Sequence, residues 1–269
     1  MSSTPLSPEV RDYYLAGGER DRLAAGTGRL EFLRTWDVLI RTLPAPPADL
    51  LDVGGAVGTY ARPLAEAGYR VHLVDPVPEH VAQAAALGVP ATVGDARALP
   101  AGDGSADAVL LLGPLYHLTE RADRVRAWRE AARVARPGGV VVAATISRYA
   151  SFFDGFVRER MADPRFRAIV ESDLADGVHR NPDNEPGWFT TAYFAHPDEP
   201  AAEARDAGLA PRRVVAVETA LWLAGAPLER ILADPTVTGA LLELARGIED
   251  EPTMLGPSGH LLTIADALR

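Results

Sequence analysis

Leu51-Asp52-Val53-Gly54-Gly55-Ala56-Val57-Gly58, with Asp75 standing 21 residues after Gly54, is the stretch on which the fold turns. Residues 50–53 read as a short buried strand, and the glycines behind them as a strand-to-helix turn. Glycine there allows positive φ and lets a ligand approach the backbone with no Cβ in the way. Asp75 closes a second strand, 71–74, so its carboxylate faces the same crevice, where it can accept both hydroxyls of a ribose. The dinucleotide register G-x-G-x-x-G fails, because Ala56 follows Gly54-Gly55 and Ala61 stands three residues after Gly58.

Outward from this turn the pattern alternates. Helices over 59–67 and 78–87 are closed by Gly68 and Gly88, and strands follow at 91–93 and 106–112. Thr119 can N-cap the next helix, which Pro137-Gly138-Gly139 ends before a strand at 140–145. Apolar strands alternating with helices predict a doubly wound, mostly parallel α/β sheet with right-handed connections. Residues 1–47 form an N-terminal helical cap and 48–149 the α/β core. Residues 150–196, rich in Phe, Tyr and Trp, are an insert that reads as a lid over a crevice or as a small core of its own. Residues 197–269 complete the core with strands at 212–219 and 260–264 and a helical insertion at about 226–252.

Composition narrows the chemistry. The 269 residues include no cysteine, and all 27 basic residues are arginine. This removes disulfides, thiolate nucleophiles, iron–sulfur clusters, Schiff bases and P-loop lysines. A net charge of −10 repels a polyphosphate, so no nucleic-acid partner is expected. The run Arg121, Arg124, Arg126, Arg129, Arg133 and Arg136 reads as the solvent face of a helix. The first residues lack a basic flank and an apolar run, and no segment is long enough for a membrane span. A cytoplasmic protein with no membrane partner is expected; a homodimer stays open.

A third acidic marker, Gly94-Asp95-Ala96, follows the third strand, where a carboxylate can accept from an adenine amino group. In order, Asp52 to Gly58, Asp75, Gly94-Asp95-Ala96 and Arg136-Pro137-Gly138-Gly139 resemble the motif series of class I S-adenosylmethionine-dependent methyltransferases. Gly113-Pro114-Leu115-Tyr116-His117-Leu118 is similar to a subgroup of bacterial small-molecule enzymes that methylate heterocycle nitrogen. The series covers about residues 49–146. The resemblance implies a seven-stranded Rossmann-like sheet and S-adenosylmethionine as cofactor, with S-adenosylhomocysteine as product. It places Gly54, Gly55 and Gly58 along the methionine part, Asp75 on the ribose, and Pro76 and Val77 around the adenine. Asp95 and the Ala96 amide would read the adenine, and the carbonyls of Leu112 and Gly113 would meet the ammonium group. From the N-terminal cap, Tyr13, Tyr14, Glu19, Arg22 and Arg34 are available, with Arg34 either on the cofactor carboxylate or in a surface ion pair with Glu31.

Methyl transfer from a sulfonium needs no protein nucleophile, only position and electrostatics. His117 is the candidate base or orienting donor, because histidine titrates near working pH, and Tyr116 could stack on a planar acceptor. Tyr14, Tyr116, His117, Arg148, Trp188 and Phe189 are the expected substrate residues. Carboxylates are missing at Gly113-Pro114 and Ser147-Arg148, so no catalytic metal is expected. Two other readings stand beside a small-molecule N- or O-methyltransferase: an NAD(P)-dependent oxidoreductase, and a non-catalytic binding protein on the same fold.

Overall fold

A computed structural model describes residues 8–15 and 22–268. Helices α1 (Pro8–Leu15) and α2 (Gly26–Thr42) precede strand β1 (Asp49–Val53). Next come α3 (Ala61–Glu66), β2 (Arg70–Asp75), α4 (Pro78–Ala86), β3 (Ala91–Val93) and β4 (Ala106–Leu111). A 3₁₀ turn, Leu115–His117, leads to α5 (Arg121–Val134) and the long β5 (Ala135–Ser147). After β5 come α6 (Ala150–Val157), α7 (Pro164–Asp176), β6 (Val178–His179) and β7 (Ala192–Ala195). The chain closes with α8 (Glu199–Asp206), β8 (Leu209–Ala216), α9 (Ala226–Ala233), α10 (Pro235–Arg246), α11 (Pro252–Leu255) and β9 (His260–Ala267).

Strands β3, β2, β1, β4 and β5 lie side by side and parallel, β9 runs antiparallel beside β5, and β8 antiparallel beside β9. The sheet has nine strands among the described residues, not the seven expected. β5 is the reason. Its pairing with β4 stops at Ala143, and beyond it Ile146 and Ser147 pair with Phe194 and Ala195 of β7. An edge freed by a shorter neighbour exposes unpaired amides, and β7 with its antiparallel partner β6 covers it.

Both faces of the sheet are covered, which is why its strands are apolar almost throughout. Leu50, Leu73, Leu110 and Val142 pack with Val38 and Leu39 of α2, Leu64 of α3 and Ala84 of α4. Val53, Val74, Leu111 and Val141 pack on the other side with Trp128 and Ala131 of α5 and Ala204 of α8. The order of strands reverses between β1 and β4, so the loops leaving their carboxyl ends splay apart and open a crevice.

Several local expectations are corrected. Helix α5 starts at Arg121 behind Glu120 with no side-chain cap, so Thr119 does not cap it. Instead the Thr119 carbonyl accepts from Arg124. Arg124 leaves the expected solvent face, because its guanidinium is buried against Glu203 at 2.9 Å and stacks 3.6 Å from the Tyr193 ring. Trp188 joins Phe166, Ile169 and Val170 in a small core of the insert, edge to face with Phe166 at 5.1 Å.

Candidate cofactor and active site

The turn after β1 bends as its glycines permit. Gly54 has φ +69° and Gly58 φ +89°, and Ala56 is also left-handed at +47°. A Cβ on Gly54 would stand 2.8 Å from Pro114 Cδ, so the turns after β1 and β4 touch only because this residue has none. A Cβ on Gly55 would meet Asp52 Oδ2 at 2.5 Å. Gly58 does not reach the crevice lining; it closes the turn, its amide donating to the Gly55 carbonyl at 2.9 Å. Its expected place along the cofactor is therefore corrected.

The crevice is a cavity of about 360 Å³. Gly54, Gly55, Asp75, Pro76, Val77, Asp95, Ala96, Leu112, Gly113, Tyr14, Tyr116 and His117 all line it, as expected from the sequence. Phe189 stands behind this lining, its ring 5.9 Å from that of His117. Glu19 lies outside the described residues.

Asp75 Oδ2 accepts from the Ala56 amide at 2.9 Å, and Oδ1 from the Val77 amide and His80 Nδ1. A carboxylate offers about four acceptor positions, so one on Oδ2 stays unused in a residue that lines the cavity. Asp95 is gripped by the Arg97 guanidinium at 2.6 Å, and Arg97 also reaches Asp123 at 2.8 Å. Burial opposes ionisation of Asp95, but these Arg97 bonds hold its pKa below the usual carboxylate range.

Asp52 carries a signal the sequence reading passed over: a carboxylate inside an apolar strand. It is 1 % exposed, lines the cavity, and neither oxygen accepts a hydrogen bond of good geometry. Burial, and then the charge of Asp75, push its pKa up to about 7, with the Ala61 amide acting weakly in the other direction. An orphaned buried carboxylate asks for a cationic partner.

Three expected contacts are corrected. Arg34 is fully buried and turned away from the cavity, donating to the Val217 carbonyl at 2.9 Å, Asp37 at 3.2 Å and Glu249 at 2.7 Å. Nor does it pair with Glu31, which Arg22 grips instead. Arg148 is buried too, donating to the Phe194 carbonyl at 2.7 Å and to Tyr193. It braces β7 and does not line the cavity, and neither does Trp188.

His117 is placed as expected but tuned otherwise. Nδ1 faces the Thr191 carbonyl at 3.4 Å, which can only accept, so Nδ1 carries the proton and Nε2 accepts from Tyr14. Burial lowers its pKa to about 4, outweighing that carbonyl and the charge of Asp75. A histidine this acidic, with its basic nitrogen taken, is a poor general base.

The same cavity is also lined by His260, which sequence reasoning left open. His260 Nδ1 donates to Glu218 Oε1 at 2.6 Å, and Glu31 Oε2 lies 3.7 Å away. Burial alone would lower the His260 pKa, but the two carboxylates raise it to about 9. Donor atoms of Glu31, Glu218 and His260 lie within 4.8 Å of one another, the spacing of a cation site, although Arg22 already neutralises Glu31.

Residues 51–143 match the methyltransferase domain family. An uncharacterized methyltransferase of Mycobacterium tuberculosis is 41% identical over 99 residues, which is 36% of this chain and 39% of that protein. The chain therefore matches well under half the length of this curated relative. Among solved structures, a SAM-dependent methyltransferase of Methanosarcina mazei superposes with a TM-score of 0.58 at 17% identity, covering 86% of this chain and 97% of that one. The [4+2]-cyclase SpnF superposes with 0.60 at 19%, covering 100% and 99%. The chain thus has the class I methyltransferase fold with a mostly parallel sheet. The family match covers residues 51–143 alone, and the likeness to the solved structures shows the fold. Fold does not by itself fix the reaction, so the chemistry rests on the site.

Proposed function

We propose that the chain is a methyltransferase that moves the methyl group of S-adenosylmethionine to nitrogen or oxygen of a small, planar metabolite. The observation that carries this reading is Asp52, a buried carboxylate without a partner, beside the glycine turn and Asp75 in one cavity. Its charge suits the cofactor's ammonium group. Asp75 suits a ribose hydroxyl through its open Oδ2 position, and Asp95 with the Ala96 amide suits the adenine. When bound, the cofactor supplies a sulfonium-activated methyl group that an acceptor lone pair attacks in line, leaving the S–C electron pair on sulfur.

The chain's own part is position and exclusion of water. His117 orients through its bond to Tyr14 and does not take a proton. Tyr116, whose ring lies 4.7 Å from that of His117, offers a flat wall for a planar acceptor. Phe189, packed against both, sets that wall. Thermal unfolding with S-adenosylhomocysteine beside NAD tests the reading. A ligand at 100 times its Kd stabilises by about 2.7 kcal/mol. A shift with S-adenosylhomocysteine that Asp75→Ala removes supports it, and a shift with NAD alone would return the oxidoreductase reading.

A further inference from the structure

The glycine turn is only part of the cavity lining. Thr35, Tyr60, Ala144, Arg22, Glu31 and His260 line the same cavity. The chemistry around His260 is built. Glu218 is 3 % exposed; its Oε2 accepts from Ser258 Oγ and from the His260 amide, both at 2.9 Å, and its Oε1 from His260 Nδ1. The next residue, Thr219, is left-handed at φ +52°, a costly conformation for a β-branched residue. Backbone strain of this kind persists only where the surrounding structure over-determines it.

His260 therefore has one nitrogen committed and one available. Nε2 has no hydrogen-bond partner among the described residues, and the residue lines the cavity. The charged groups around the ring are Glu218, two residues beyond β8, Glu31 on α2 and Arg22, which is paired with Glu31. Two carboxylates against one cation favour the imidazolium, which makes Nε2–H a charged donor on a residue that lines the cavity.

We propose that His260, positioned by Glu218, binds the methyl acceptor as an oxyanion, so that the acceptor is a weakly acidic hydroxyl of the phenol or enol class. This rests on the methyltransferase reading and chooses oxygen over nitrogen within it. The hydroxyl proton leaves to solvent before binding, and the imidazolium keeps its own. Both nitrogens then donate, Nδ1–H to Glu218 and Nε2–H to the oxyanion. A cationic amine has no lone pair to accept from a charged donor, and a neutral amine that accepts from it ties up the lone pair that must attack the methyl group, so both are disfavoured. His117 need not act as a base, in keeping with its bond to Tyr14.

The test uses 4-nitrophenol, whose ionised form absorbs at longer wavelength, titrated into the protein saturated with S-adenosylhomocysteine, beside a panel of phenols, enols and matched amines as methyl acceptors. The expected result is binding of 4-nitrophenol as the phenolate at a pH where free 4-nitrophenol is protonated. His260→Ala removes that absorbance change and lowers kcat/KM for hydroxyl acceptors at least about 100-fold, with homocysteine-compound affinity unchanged. His260→Gln, which keeps an N–H donor, restores part of it. In Glu218→Gln the loss of kcat/KM at high pH, set in the wild type by the imidazolium deprotonating near 9, moves toward neutral pH. Three results overturn the proposal while the methyltransferase reading stands: methylation confined to amines, His260→Ala retaining the phenolate signal, or a divalent-cation requirement that His260→Ala abolishes. Failure of S-adenosylhomocysteine to bind the wild type overturns the reading beneath it.

Discussion

The Tyr14 hydroxyl donates to His117 Nε2 across 2.6 Å and so ties α1 to the turn that follows β4. A residue of α1 thereby joins the cavity lining. Because His117 is neutral, this bond needs no nearby counter-charge. It also makes the contact sensitive to acid.

That sensitivity has a definite sign. The native pKa of His117, about 4, lies below its ordinary 6.5, so between those values the unfolded chain binds a proton that the native one does not. Stability falls as pH drops from about 6.5 toward 4. Urea unfolding across this range should show a smaller acid loss in His117→Gln than in the wild type. Equal slopes would contradict the assignment.

Gly54→Ala should damage the cofactor site more than its one methyl suggests. A φ of +69° costs a non-glycine residue roughly 1–3 kcal/mol, and the new Cβ would press on Pro114. Folding persists at reduced melting temperature, and S-adenosylhomocysteine binding is lost in calorimetry.

Asp75→Ala removes a carboxylate that holds two amides of the crevice wall as well as the proposed ribose contact. Charged hydrogen bonds contribute about 1.5–3 kcal/mol each, so affinity for S-adenosylhomocysteine should fall at least roughly 10- to 150-fold. An unchanged Kd would move the ribose elsewhere.

Arg34→Ala separates a fold role from a binding role. The guanidinium pairs with Glu249, whose carboxyl burial would push up but Arg41 and Arg34 hold below the usual range. Removing one partner of a buried pair costs about 3–5 kcal/mol, which denaturant unfolding will read. Cofactor affinity of the folded fraction should not change. A selective loss of binding would restore Arg34 to the cofactor.

The central fold was legible because its signals are local: each strand, turn glycine and closing acid lies within about twenty residues of its neighbours, and β1 to β5 follow from alternation alone. The misread residues depend on distant partners. Arg34 finds its acceptors 183 and 215 residues away, and His260 meets Glu218 from a separate strand. Arginine in an amphipathic pattern looks solvent-facing until the tertiary acid appears, as Glu203 does for Arg124. β6 and β7 were hidden among aromatic residues that pack as readily in a lid as in an edge strand. Asp52 is visible as a carboxylate in an otherwise apolar run, but its burial beside Asp75 of the neighbouring strand is a tertiary property.

Proton-linked calorimetry tests the account most directly. S-adenosylhomocysteine is titrated at pH 6 to 7 in two buffers of different ionisation heat, into the wild type and Asp52→Asn. Burial raises the Asp52 pKa to about 7, and an ammonium partner would lower it again, so wild-type binding should release a fraction of a proton. Asp52→Asn should bind more weakly and release none. Wild-type protein that gives no binding heat, or binds with no proton release, would contradict the central claim that this cavity holds the cofactor with its ammonium on Asp52.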